Sequence, residues 1–326
     1  MRVNRVGGAG RRALAVLAAA VLLALPACDS EGDGGGGGKK KTDGRSTFTG
    51  EPAEPRPVLA VKIDNVAPAR PQTGVDRADV VYVERVEAGL SRILAIFSSD
   101  LPPLVGPVRS ARESDLDLLR QFGRPALAYS GAQSRLEPVI DDAPLYPITP
   151  GRAPDAFVRS GDRAAPHNLF VRPAAALRAA PDASDAKDIG FHFGAAPASG
   201  GRPVQQETVR YPAARFGFSW SGEQKRWLVS MDGTPAATTD GKRLAAATVV
   251  IQHVDIRDSR FRDRWGSVSP FTDTTGSGTA EVLRDGKSYQ ARWVRPDAED
   301  GTEFTTPSGD ELNFARGQVW VVYTPR

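Results

Sequence analysis

The only cysteine of this 326-residue chain, Cys28, closes Leu25-Pro26-Ala27-Cys28 directly after an apolar run, and that placement limits what the rest can be. Without a second cysteine no intramolecular disulfide can form, and thiolate zinc sites and cysteine nucleophiles are excluded with it. The fold must be held by core burial alone. Arg2, Arg5, Arg11 and Arg12 form a basic leader, and the 13 apolar residues 13–25 are too few to cross about 30 Å of hydrocarbon as a helix. Residues 1–27 therefore read as a lipoprotein signal peptide of the Sec type, and Cys28 as the lipidated first residue of the mature chain. Arg11-Arg12 is not followed by the rest of a twin-arginine motif.

Removal of the leader takes away four arginines and no acids, leaving 38 basic residues against 39 acidic ones, so the formal charge moves from +3 to −1. No global field then favours nucleic acid. The excess of arginine over lysine, 34 to 8, points to GC-rich, actinobacterial codon usage and carries no mechanism. Residues 28–57 contain the glycine run 34–38 and Pro52, Pro55 and Pro57, a composition expected to stay disordered as a tether of roughly 30 Å r.m.s. span.

From Val58 the chain alternates short apolar runs. Strands are expected over 59–64, 79–87 and 91–97, the last two joined as a hairpin at Ala88-Gly89. A helix is expected within 106–123, with Ser110 and Glu113 as a capping box and Gly123 as its stop, and an Ala-rich helix over about 172–180 with Pro173 in its first turn. A Gly/Ala/Pro-rich stretch over 181–202 reads as a boundary, and beyond it only strands are expected. The fold class is thus α+β: an N-terminal α+β domain over 58–190 followed by a mostly antiparallel β domain over 203–326.

Two arginines, Arg109 and Arg112, flank the expected helix start. Arg112 either pairs internally with Asp115 or a strand carboxylate, or joins Arg109 in holding an anion. His167, in Pro166-His167-Asn168, is either a turn residue or a catalytic acid or base. Glu87 and Arg92, on either side of the hairpin turn, suit a cross-strand ion pair. His192 and His253 read as satisfied structural histidines. Three dispersed histidines and no H-E-x-x-H give no metal site, and no motif for a cofactor or nucleoside phosphate is present.

Several segments together resemble a family: Val61-Lys62-Ile63-Asp64-Asn65, Ala69-Arg70-Pro71-Gln72, Val86-Glu87-Ala88-Gly89-Leu90-Ser91-Arg92, Gly106-Pro107-Val108-Arg109-Ser110-Ala111-Arg112, Pro166-His167-Asn168 and Gly317-Gln318-Val319-Trp320. In order and spacing they are similar to the YerB-like bacterial lipoproteins, whose activity is unknown. The chain departs from that pattern with Val83 after Tyr82, Glu84 coming one place later, and with Ala88-Gly89 in place of two glycines. The resemblance implies a lipid-anchored, two-domain protein on the extracytoplasmic face of the membrane. The expected site is a polar cleft of Asp64, Asn65, Arg70, Glu87, Arg92, Arg109, Arg112, His167 and Asn168. Its expected ligand is an anionic envelope polymer, a phosphorylated lipid intermediate or an acidic segment of a partner. The alternative is a hydrolase or transferase acting on envelope glycans or phosphodiesters, which requires His167 and a carboxylate within hydrogen-bond reach beside Arg109 or Arg112.

Overall fold

A computed structural model describes residues 44–263 and 266–326. Cys28, the signal segment and the first part of the expected tether lie outside the described residues. The N-terminal half contributes β1 (Leu59–Asp64), β2 (Val80–Arg85), β3 (Ser91–Phe97), α1 (Glu113–Leu119), β4 (Ala126–Ala128), α2 (Glu137–Asp142) and β5 (Tyr146–Ile148). It ends with a β6–β7 hairpin (Phe157–Arg159, Leu169–Val171) and α3 (Pro173–Arg178). The C-terminal half adds a small sheet of β9 (Gln206–Tyr211), β10 (Ala214–Ser221), β11 (Arg226–Met231), β12 (Thr234–Pro235) and β13 (Ala245–Ala246), preceded by the short β8 (Arg202–Pro203). It closes with β14 (Thr248–Arg262), β15 (Val268–Asp273), β16 (Gly276–Arg284), β17 (Lys287–Arg295), β18 (Glu303–Thr305) and β19 (Val319–Pro325).

One twelve-stranded sheet runs through both halves in the order β18-β17-β16-β14-β19-β2-β3-β1-β4-β5, with β15 and β8 paired off this path. The halves meet where β19 lies parallel to β2, Val319 opposite Val80 and Val322 opposite Val83. The β2–β3 hairpin forms as the sequence implies, with its turn taken by Ala88 at φ 56° and Gly89 at φ 71°. A Cβ on Gly89 would stand 2.5 Å from Pro212, so this turn needs glycine for space as well as for its left-handed backbone.

Both faces of the main sheet are covered. Val61, Ile63, Val81 and Ile93 face one layer, where Phe216, Trp227 and Trp320 of the C-terminal half pack. Ala60, Tyr82, Leu94 and Ile96 face the other, under Leu118, Leu119 and Phe122. All six residues of β1 are consequently buried, and its polar positions Lys62 and Asp64 face protein instead of solvent. Alternation in the sequence gave the faces correctly but not what covers them.

Two expectations are corrected. Residues 44–57 are not free tether: Arg45 bridges to Pro52, and Phe48 is fully buried with its ring edge-on to Phe122 at 5.4 Å. Of residues 181–202, expected as a boundary, Ala183, Ile189 and Phe191 alone are buried, Phe191 against Phe304 and Phe314. The first helix starts at Glu113, not Ser110. Residues 107–109 run extended because the Asp64 N–H donates to Pro107 O and the Arg109 N–H donates to Lys62 O, pairing this segment antiparallel to the last residues of β1. Arg112 takes the N-cap position, and its N–H donates to the Asp115 carboxylate at 2.7 Å. At the other end of this helix the buried Arg295 of β17 donates to Asp117 O at 2.8 Å, so the C-terminal half fixes where α1 lies.

Candidate functional site

Where β1 and β2 end and β3 begins beneath α1, the structure gathers charge. Arg92 on β3 stands in register with Asp64 on β1 and Glu84 on β2, so the three share one row across adjacent strands. One row deeper, Lys62 donates to Glu84 Oε2 at 2.8 Å and to Asp115 Oδ1 at 2.6 Å, all three side chains being buried. Glu84 Oε1 has no hydrogen-bond partner. Burial, and to a smaller extent the neighbouring Asp115 carboxylate, push Glu84 up to about 7 against the pull of Lys62. Such a triad positions α1 over the strands more than it stabilises the fold. Lys62, Glu84 and Asp115 were not among the candidates read from sequence. The available signal was a charged residue at an inward position of each element.

Above the row, Glu87 opens the single 3₁₀ turn that continues through the left-handed Ala88 and Gly89. Arg112 grips it with one edge of its guanidinium, Nε to Oε1 at 2.6 Å and Nη2 to Oε2 at 2.8 Å. Burial works against ionisation of Glu87, but the hydrogen bonds and charge of Arg112 outweigh it and bring the carboxyl down to about 2. The expected Glu87–Arg92 pair is therefore replaced by Glu87–Arg112, the internal alternative for Arg112. Arg92 donates instead to the Ser110 carbonyl at 3.1 Å. Burial and then the repulsion of Arg112 bring its guanidinium down to about 9, although part of the side chain still meets solvent.

Asp64 Oδ2 is approached from two sides, by His167 Nδ1 at 2.9 Å and by Arg109 Nε at 3.0 Å. The Arg109 contact is an ion pair without hydrogen-bond alignment. His167 and a carboxylate thus meet beside Arg109, two segments 103 residues apart in sequence.

Arg92, Arg109, Arg112 and Glu87 line an open cleft of about 630 Å³. Its outer wall is the far end of the β14–β15 ribbon, which contributes Phe261, Arg262 and Ser269. Ser269 hydrogen-bonds Glu87, Ser259 hydrogen-bonds Glu113, and the Thr272 N–H donates to Ser114 Oγ at 2.9 Å, so the ribbon is tied to the β2–β3 turn and to the start of α1. Nothing local in the sequence marks the ribbon as part of this cleft.

The remaining candidates lie elsewhere. Asn65 accepts from Arg70 and Gln72, and Arg70 continues to Asp232 at 2.7 Å, joining this loop to the small sheet. Asn168 accepts from Arg159 within the β6–β7 turn. His253 Nδ1 lies 2.8 Å from Thr324 Oγ1, and His192 lies 3.6 Å from Glu311. Among the described residues no three His, Cys, Asp or Glu side chains converge as a metal site, and no helix is long and apolar enough to cross a membrane.

The fold and the cleft define a strand-rich, two-domain protein with a few helices, whose arginine-lined cleft is walled by both halves. The chain belongs to the DUF3048 family, proteins of unknown function: the model of the family's N-terminal domain matches residues 44–187 and that of its C-terminal domain matches 207–321. It is 27% identical over 289 residues to YerB of Bacillus subtilis (strain 168), a protein named as a lipoprotein, covering 83% of this chain and 82% of YerB. The crystal structure of YerB from Bacillus subtilis superposes with a TM-score of 0.74 at 21% identity, over 86% of this chain and 97% of that one.

Proposed function

We propose that this protein is an envelope lipoprotein, anchored through Cys28 on the extracytoplasmic face, whose cleft binds an anionic ligand of the envelope. The observation that carries the reading is Arg92. It lines the cleft, its guanidinium donates to one carbonyl, and among the described residues no carboxylate lies within ion-pair distance of it. An arginine so placed is stabilised by an incoming anion. Lipid anchoring follows from the leader and Cys28, and the likeness to a protein named as a lipoprotein supports it. Thermal unfolding in sodium sulfate and in sodium chloride at equal ionic strength tests the binding reading. Sulfate, which also stabilises proteins generally by exclusion from their surface, should raise the midpoint of the native protein by more than that of Arg92→Gln, whereas equal rises in the two proteins contradict it.

The second reading, hydrolysis or group transfer on envelope glycans or phosphodiesters, is favoured by one observation, the 2.9 Å contact of His167 Nδ1 with the buried Asp64. A carboxylate on Nδ1 orients the ring and leaves Nε2 for proton transfer. Asp64 and His167 are not part of the cleft lining, which is why binding is preferred. Turnover of bis(p-nitrophenyl) phosphate that disappears in His167→Asn would support this reading, and no turnover by the native protein would remove it.

A further inference from the structure

We infer that Lys62 and Asp115 form a site of self-modification, at which the lysine Nζ and the aspartate Cγ condense into an amide that staples β1 to the start of α1, with Glu84 moving the protons.

The buried triad brings the three groups such a condensation needs from three separate elements. Lys62 Nζ lies 2.6 Å from Asp115 Oδ1 and 2.8 Å from Glu84 Oε2. Across the sheet Lys62 stands in register with Leu94, and Leu94 with Tyr82, all three buried. None of Lys62, Glu84 and Asp115 lines the cleft, so the groups meet away from its solvent. Folding has therefore already supplied the entropy of bringing amine and carboxyl together. In water the two groups persist as hydrated ions and do not condense. Burial removes that hydration, and the amide replaces two buried charges with one neutral group.

The step balances without an oxidant or a second reactant. The Lys62 ammonium gives up one proton, which Glu84 relays to Asp115 Oδ1, leaving an amine beside a carboxylic acid. Nζ then attacks Cγ, and the negative charge gathers on Oδ2, which already accepts the Arg112 N–H at 2.7 Å. A second proton passes from Nζ through Glu84 to Oδ1, the Cγ–Oδ1 bond breaks, and water leaves. Oδ2 remains as the amide oxygen on the same N–H, and Glu84 returns to its starting state. Burial, with the charge and hydrogen bonding of Asp115 behind it, pushes Glu84 up to about 7 against the pull of Lys62, which suits a group that must both take and give a proton. In the bonded form Glu84 stays buried without the Lys62 charge, so it still resists ionisation. Lys62 and Asp115 are 53 residues apart, so the bond closes a long loop in a protein whose one cysteine permits no intramolecular disulfide.

Mass spectrometry of the full chain, purified folded and then denatured, tests the inference. After allowance for the substitution itself, the native protein should be lighter by one water molecule than Lys62→Arg, which keeps the cation but cannot make the bond. Trypsin should leave the native chain uncut after Lys62, and residues 113–120, bounded by cleavage at Arg112 and Arg120, should appear only joined to the Lys62 peptide. Glu84→Gln should carry the two peptides separate. Equal corrected masses, with residues 113–120 released free from the native chain, overturn the inference and leave the triad as an ion cluster. A missing water that maps to an Asp-Gly pair such as Asp232-Gly233, where a backbone succinimide forms, overturns it equally. Full bonding in Glu84→Gln overturns the role of Glu84. Should a variant fail to fold, the peptide map of the native chain decides by itself whether Lys62 and Asp115 are joined.

Discussion

Replacing Arg112 with glutamine removes both hydrogen bonds that its guanidinium donates to Glu87 and leaves that buried carboxylate with the Ser269 hydroxyl. Breaking a buried pair from one side costs about 3–5 kcal/mol, because the remaining charge is uncompensated. The Glu87 carboxyl gives an independent figure: holding it at about 2 instead of its ordinary 4.5 corresponds to about 3 kcal/mol. Its folded pKa lies below the unfolded one, so this stability is present above about pH 4.5 and is lost as the pH falls toward 2. Arg112→Gln should therefore be less stable than the native protein by about 3 kcal/mol at pH 6, and the gap should nearly close at pH 2. Urea unfolding at pH 6, 4 and 2.5, followed by tryptophan fluorescence, measures this gap. A deficit below about 1 kcal/mol at pH 6, or one that stays constant to pH 2.5, would refute the assignment of the Arg112 charge to Glu87.

Glu84 should act in the opposite sense. Its folded pKa of about 7 stands above the ordinary 4.5, so the native protein loses stability on this account as the pH rises from about 4.5 to 7. Glu84→Gln should improve relative to the native protein over that window, by a change on the order of 3 kcal/mol in urea unfolding, and a pH-independent difference would contradict the buried triad. Phe48→Ala should cost about 3–5 kcal/mol if residues 44–57 belong to the fold, and a loss below about 1 kcal/mol in thermal unfolding would return them to the tether. Cys28→Ser should release folded protein from the membrane fraction, and unchanged membrane retention would count against lipid anchoring at that residue.

Local chemistry made some of this legible in the sequence. The β2–β3 hairpin, the stop of the first helix near Gly123 and the Pro173 start of α3 depend on neighbouring residues, and the structure places all three as expected. The start of α1 was misplaced because Ser110 and Glu113 have capping-box spacing, while the backbone before Arg112 is claimed by β1, a partner that no local pattern names. The same reason hid the parallel pairing of β19 with β2 and the ribbon wall of the cleft, each a contact between distant segments. Of the candidate residues, Asp64, Glu87, Arg92, Arg109, Arg112 and His167 do gather beneath and beside α1, but which carboxylate each cation takes is decided by three strands, a helix and a turn together. Asn65, Arg70 and Asn168 have the hydrogen-bonding chemistry of a site, which serves to fasten loops here.

The central claim, that the cleft accepts an anion at Arg92, is tested most directly by the anomalous difference map of crystals grown in selenate. The account predicts a selenium peak in the cleft, within hydrogen-bond distance of the Arg92 guanidinium and absent in Arg92→Gln. Selenate bound only at other surface arginines, with water alone beside Arg92, would contradict it.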